Sequence, residues 1–186
     1  MDRVRKLRWL SAVLAAAALV ATLALTACGE EEKVEGAEGE FITVGEADYQ
    51  VQLTRLLNPE QRPDDSYLRG QAVLPANEAF LGVFLRIEND GDKPHLPPRD
   101  MKVIDTQDNE YLPLDTVQSG FGLDFGNAIP PGENAPPPNS PASFSPTSGA
   151  LVLFRLKEAS ATDNLPLVLE IPVEGEKEPS RITLDV

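Results

Sequence analysis

The chain has 186 residues, enough for one domain with accessory segments and well above the length at which a core is hard to build. Hydrophobic residues make up 41% and charged ones 25%, a globular balance, while 17 prolines and 13 glycines argue against long helices. The formal net charge is −14, and four of the bases stand in the first 27 residues, so the remainder is more acidic still and is repelled by nucleic acid and by anionic headgroups.

Those four bases, Arg3, Arg5, Lys6 and Arg8, precede an uncharged stretch from Trp9 to Ala27 that is rich in Ala, Leu and Val. Basic residues held at the cytoplasmic face and followed by an apolar run are the layout of an export signal. The run is also just long enough to span a bilayer, at about 20 residues, so a retained transmembrane anchor is the competing reading. The chain's single cysteine separates the two. Leu25-Thr26-Ala27-Cys28 resembles the lipobox of bacterial lipoproteins, a Leu and two small residues before a Cys. The resemblance implies that residues 1–27 are a signal peptide cleaved between Ala27 and Cys28. It also implies that the Cys28 thiol carries a diacylglycerol, placing the protein at the cell membrane on its extracytoplasmic side. Two or three acyl chains hold stably where one is marginal. The alternative, a buried structural thiol, is disfavoured because Gly29-Glu30-Glu31-Glu32 follows and offers no apolar surroundings. One cysteine forms no intramolecular disulfide, so the exported domain must stand on its core.

After Cys28, residues 29–40 (GEEEKVEGAEGE) are nearly all Glu, Gly and Ala. They cannot bury apolar surface, and residues 28–40 read as a lipidated cysteine and an acidic flexible tether. From Phe41 the pattern changes to strands. Phe41 to Val44 is one; Tyr49, Val51 and Leu53 alternate with Gln50, Gln52 and Thr54 in a second with one wet face. Phe80 to Ile87 is apolar until Arg86 and reads as a central strand, stopped by the turn residues Asn89-Asp90-Gly91-Asp92. Met101 to Asp105 and Tyr111 to Leu114 read as a hairpin, and Gly149 to Leu156, Leu167 to Ile171 and Ile182 to Val186 supply three more strands. Weak helical character is confined to Asp115–Gly120 and Glu158–Ala161. Seven or eight strands separated by turns predict an all-β fold, an immunoglobulin-like antiparallel β-sandwich over residues 41–186.

Two segments interrupt the strands. Asn58 to Glu78 is polar and is expected to wrap one end of the sandwich. Asp115 to Ser148 is longer and carries Pro130, Pro131, Pro136, Pro137, Pro138, Pro141 and Pro146. Loops of that length are uncommon in compact domains and are either functional or loosely ordered. Phe121, Phe125 and Phe144 lie within it. Either they fold the loop back onto the sheet or they shape a partner-binding surface.

The order of features resembles the DUF4352-type immunoglobulin-like domains of Gram-positive and actinobacterial lipoproteins. The residues that carry the resemblance are Phe84 to Pro94, a strand running into an N-x-G-x-x-P turn; Asp105 to Tyr111, an acidic hairpin closed by an aromatic; and Ser148 to Phe154, a Gly-led apolar strand. The resemblance implies a cell-envelope domain and brings no catalytic residues with it.

Chemistry-bearing residues are few. His95, the only histidine, sits in Lys93-Pro94-His95-Leu96-Pro97-Pro98 and reads as a surface-loop residue rather than a general base. Ser66, Ser119, Ser140, Ser143, Ser145 and Ser148 are serines without a G-x-S-x-G context. One histidine and one lipidated cysteine are a poor set for zinc or copper. Asn89–Asp92 and Asp105–Glu110 offer oxygens for calcium but lack the spaced loop it needs, and turn geometry is their first use. No metal or cofactor is therefore assigned. The sequence supports a non-enzymatic, lipid-anchored binding or interaction module, meeting the membrane through the acyl chains on Cys28 and an envelope protein through the folded domain. The alternatives are an envelope spacer without a ligand and, third, a hydrolase of envelope polymers.

Overall fold

The computed structural model describes residues 34–186. The expected signal peptide, the expected cleavage between Ala27 and Cys28, the expected lipidation of Cys28 and the first part of the expected acidic tether fall on residues outside those described. No helix among the described residues is long and apolar enough to cross a membrane.

Among the described residues, ten strands and two short helices form. In chain order they are β1 (Glu35–Ala37), β2 (Phe41–Val44), β3 (Ala47–Leu57), α1 (Asp64–Tyr67), β4 (Glu78–Glu88), β5 (Lys102–Ile104), β6 (Glu110–Tyr111), β7 (Asn134–Ala135), β8 (Ala150–Lys157), α2 (Glu158–Thr162), β9 (Leu167–Ile171) and β10 (Ser180–Leu184). One sheet has the order β1-β10-β9-β5-β6. In the other, β2, β3 and β4 are successive neighbours, and β4 pairs on its far side with β8 and then β7. All pairings are antiparallel except β1 with β10. The fold is the predicted β-sandwich.

Side-chain alternation explains why β4 has no polar face until Arg86. Leu81, Val83, Leu85 and Ile87 point between the sheets, where they meet Tyr49, Val51, Val152, Phe154, Leu169 and Ile182. Phe80 and Phe84 point the other way, into a second apolar cluster with Leu57, Tyr67, Leu68, Leu151 and Leu153. A third layer covers that outer face. Tyr67 from α1 meets Phe84 edge-on at 5.1 Å, and Phe121 from the long insertion meets Tyr67 at 4.9 Å. Each such large side chain taken out of water contributes about 1.5–3 kcal/mol. Gly149 is required where β8 begins, because a Cβ there would stand 2.9 Å from the backbone carbon of Phe84.

Two expectations need correction, on the tether and on residues 115–120, and two are extended, on the insertion and on the 58–78 segment. The tether does not run to residue 40: Glu35–Ala37 pairs with Arg181–Thr183, so the folded domain starts before Phe41. Strand β7 arises inside the proline-rich insertion, on the edge of β4. Asp115–Gly120 is not helical; it is a turn in which the Ser119 amide donates to the Thr116 carbonyl at 2.9 Å. The 58–78 segment does more than wrap an end, since it holds α1 and supplies Tyr67 and Leu68 to the outer cluster.

Candidate functional site

At one end of the sandwich three connections converge: the β2–β3 turn at Gly45 and Glu46, the loop Lys93–Arg99 that follows β4, and the segment Pro172–Glu174 that leaves β9. With Phe125 from the insertion they enclose a cleft of about 640 Å³. A second cleft of about 500 Å³ lies on the other side of Arg99 and Phe125, walled by Pro113, Asp115, Thr116 and Asp124. The Arg99 guanidinium stands 5.9 Å from the centre of the Phe125 ring, so one cation–π pair separates the two clefts.

The loop is held from below by Tyr49 and Asn89. Tyr49 is fully buried on β3, and its hydroxyl lies 2.7 Å from His95 Nε2. Burial pushes the phenol well above its usual range, so it stays protonated. Burial also lowers His95, against a weaker opposing pull from Glu46. The Tyr49 hydroxyl and His95 Nε2 share one hydrogen bond, in which a neutral imidazole accepts or donates according to its tautomer. His95 is thus half-buried and structurally engaged, where the sequence suggested an ordinary surface position.

Asn89 is completely buried and ties two segments together. Its Nδ2 donates to the carbonyls of Lys93 and Ile129, both at 2.8 Å, and its Oδ1 accepts from the Gly91 amide at 3.2 Å. Its backbone bonds the insertion as well, donating to Glu133 and accepting from Gly132. His95 and Ile129 then exchange a pair of backbone bonds at 2.9 and 2.7 Å. The proline-rich insertion is therefore ordered by the same turn that launches the cleft loop.

Within the insertion, Asp124 accepts from the amides of Gly126 and Asn127 and from Asn127 Nδ2. Those bonds, aided by the Arg99 charge, hold its carboxyl below the usual range. This turn presents Phe125. Of the three phenylalanines singled out in the sequence, Phe125 reaches the cleft, Phe121 belongs to the outer apolar cluster, and Phe144 is 75% exposed. They do not form one surface.

The other candidate residues are spent on local geometry. Ser119, Ser143 and Ser145 donate to carbonyls three residues back, at 3.0, 2.8 and 2.9 Å, and Ser66 lies 3.3 Å from Asp65. Ser148 Oγ sits 3.5 Å from the Ser145 carbonyl, and Ser140 Oγ accepts from the Ser143 amide. Asp105 accepts from the amides of Gln107 and Asn109 and from Asn109 and Asn164 Nδ2, closing its own hairpin. Burial alone would raise that carboxyl, and bonds from Ser160, Asn109 and Asn164 overcome it and hold it far below the usual range. No group of three or more His, Cys, Asp or Glu side chains placed to hold a metal ion occurs among the described residues.

Sequence reasoning missed Tyr49, Asn89 and Arg99. Asn89 carried a signal, its place in a turn motif, but a turn does not reveal a partner 40 residues away. Nothing local links Tyr49 to His95. What the cleft offers chemically is a mixed surface: the apolar faces of Leu96, Pro98, Phe125 and Val173, with Lys93 and Glu46 paired at 3.6 Å and Arg99 and Glu174 at the rim. That suits a ligand with apolar bulk and a few polar groups, as a protein segment has.

No protein-family model matches the chain, and no curated protein matches it either. Solved structures do. An uncharacterized beta-sandwich protein from Clostridium difficile 630 aligns with a TM-score of 0.51 at 13% identity, covering 84% of this chain and 97% of its own. The yjhA protein from Bacillus subtilis aligns at 0.47 and 10% identity, over 81% of this chain and 99% of that one. A conserved hypothetical protein from Bacillus anthracis aligns at 0.48 and 14% identity, over 77% and 94%. At such identities the likeness to the Clostridium protein speaks for the fold alone, and the chain is a β-sandwich of that general kind.

Proposed function

We propose that the protein is a membrane-anchored extracytoplasmic lipoprotein that works as a non-enzymatic binding module at the cell envelope. The anchor is the diacylglycerol and acyl chains on Cys28, and the partner is an envelope protein received in the clefts on either side of Arg99 and Phe125. The lipobox-like Leu25–Cys28 and the resemblance to DUF4352-type lipoprotein domains support the address. The observation that carries the binding reading is the ordered insertion: it places Phe125 under Arg99 and so builds a wall of both clefts. A passive spacer has no need of such a surface. A hydrolase reading is disfavoured because His95 Nε2 is taken by the buried Tyr49 hydroxyl.

Two measurements test this. Labelling with a palmitate analogue is expected on the wild type and lost in Cys28→Ala; undiminished labelling contradicts the anchor. Crosslinked capture from envelope extract is expected to fall about tenfold or more in Arg99→Ala and Phe125→Ala, the usual size of an interface hot spot. Capture equal to wild type in both variants contradicts the binding site.

A further inference from the structure

The larger cleft has an acidic surround. Asp90 and Asp92 stand just before Lys93, Asp100 follows Arg99, and Glu174, Glu176 and Glu178 lie in the connection from β9 to β10. All of them are exposed, and none forms an ion pair among the described residues. The cations nearby are mostly engaged already. Lys93 stands 3.6 Å from Glu46, and Arg99 lies over Phe125 with the Asp124 charge beside it. Lys102, at 2.6 Å from Glu110 and 3.5 Å from Glu170, is neutralised within its own sheet, which leaves Lys177.

This charge stands directly behind the apolar wall. Pro172 and Val173 face the cleft on one side and, on the other, a hollow of about 290 Å³ walled by Asp100, Glu176 and Glu178. An apolar cleft and an acidic hollow thus sit back to back across one short segment. The far end of the sandwich, where Leu165 precedes β9, also carries exposed carboxylates, at Glu60, Asp108, Glu158, Asp163 and Asp185. None of those lines either cleft or the hollow, so it is the juxtaposition, and not acidity alone, that singles out the cleft end. We infer that the partner received in the larger cleft is a basic protein segment, which sets an apolar side chain against Leu96, Phe125 and Val173 and lysine or arginine side chains against the surrounding carboxylates. The inference rests on the cleft reading proposed above and adds the partner's charge. No group of three carboxylates is placed to share a metal ion among the described residues, so separate ammonium or guanidinium groups are the complement. Opposite charge also speeds the encounter, and that gain fades with salt.

A random dodecapeptide phage library is panned on the full chain purified in detergent. The Kd of selected peptides is then measured by fluorescence polarisation on wild type, Phe125→Ala, a rim variant and a far-end variant. The rim variant carries Asp90→Asn, Asp92→Asn, Asp100→Asn, Glu174→Gln and Glu176→Gln. The far-end variant carries Glu60→Gln, Asp108→Asn, Glu158→Gln, Asp163→Asn and Asp185→Asn, which removes the same charge elsewhere. Selected peptides are expected to join Lys or Arg to an apolar residue. They should bind about tenfold or more weaker to the rim variant and to Phe125→Ala, and change less than about twofold on the far-end variant. Peptides that need Phe125 but are neutral or acidic, or that bind the rim variant as well as wild type, overturn the basic partner and leave the cleft standing. Peptides weakened equally by both neutralised variants also overturn it, since net charge and not position then attracts them. Selection of no peptide that needs Phe125 overturns both.

Discussion

Asn89→Ala is the most informative single perturbation of the cleft. It deletes two bonds from Nδ2, to Lys93 and Ile129, and the acceptor of the Gly91 amide, all at a side chain with no exposure to solvent. Each buried bond contributes about 0.5–1.5 kcal/mol net, and the stranded carbonyls add a desolvation cost, so the expected loss is about 2–4 kcal/mol. The backbone bonds of residue 89 to Gly132 and Glu133 survive, so the domain should still fold. Urea denaturation followed by circular dichroism reads the loss. Hydrogen exchange reads its location: the amides of Gly91, His95 and Ile129 should exchange faster, while those of the β3–β4 ladder keep their protection relative to global unfolding. A destabilisation below about 0.5 kcal/mol, or exchange that rises uniformly, would refute the claim that one asparagine staples the loop to the insertion.

The Tyr49–His95 pair predicts a pH signature. The folded-state value of His95 is lowered, so its contribution is fully present above about 6.5 and is lost as pH falls below that. Tyr49→Phe should cost about 1–2 kcal/mol near pH 8 and less near pH 5, in parallel urea titrations; a penalty that grows in acid contradicts a neutral imidazole bonded to Tyr49. Asp105 is also lowered, so Asp105→Ala should cost about 2–4 kcal/mol at neutral pH, shrinking once the pH drops below about 4. A penalty unchanged down to pH 2 would remove the charge-assisted hairpin from the account. Phe121→Ala, which vacates the half-buried ring against Tyr67, should cost about 2–3 kcal/mol in the same assay. A smaller loss than that from Phe144→Ala would contradict the assignment of Phe121 to the outer cluster.

What could be read from the residues follows from the range of the forces involved. β4 announces itself because both of its faces are buried, and β9 because Leu167 to Ile171 is a short apolar run between turn signals. β1 does not: Glu-Gly-Ala has neither alternation nor apolar bulk, and it becomes a strand by pairing with Arg181–Thr183 at the other end of the chain. The proline-rich insertion looked either functional or loose because prolines supply no periodicity. Its order comes from Asn89, His95 and the edge of β8, where the Leu151 amide donates to Phe121 and the Leu123 amide to Leu151. The cleft was illegible for the same reason. Its wall joins residues near 45, 95, 125 and 173, and no local pattern predicts that meeting.

The central claim, a binding module whose working surface surrounds Arg99 and Phe125, is tested most directly by site-specific photocrosslinking in cells of the organism that makes it. A photoreactive residue at position 125 should give a discrete protein adduct that disappears in an Arg99→Ala background and is absent when the probe sits at Leu165, on the far end of the sandwich. No adduct at 125, or the same adducts from 125 and 165, would contradict it.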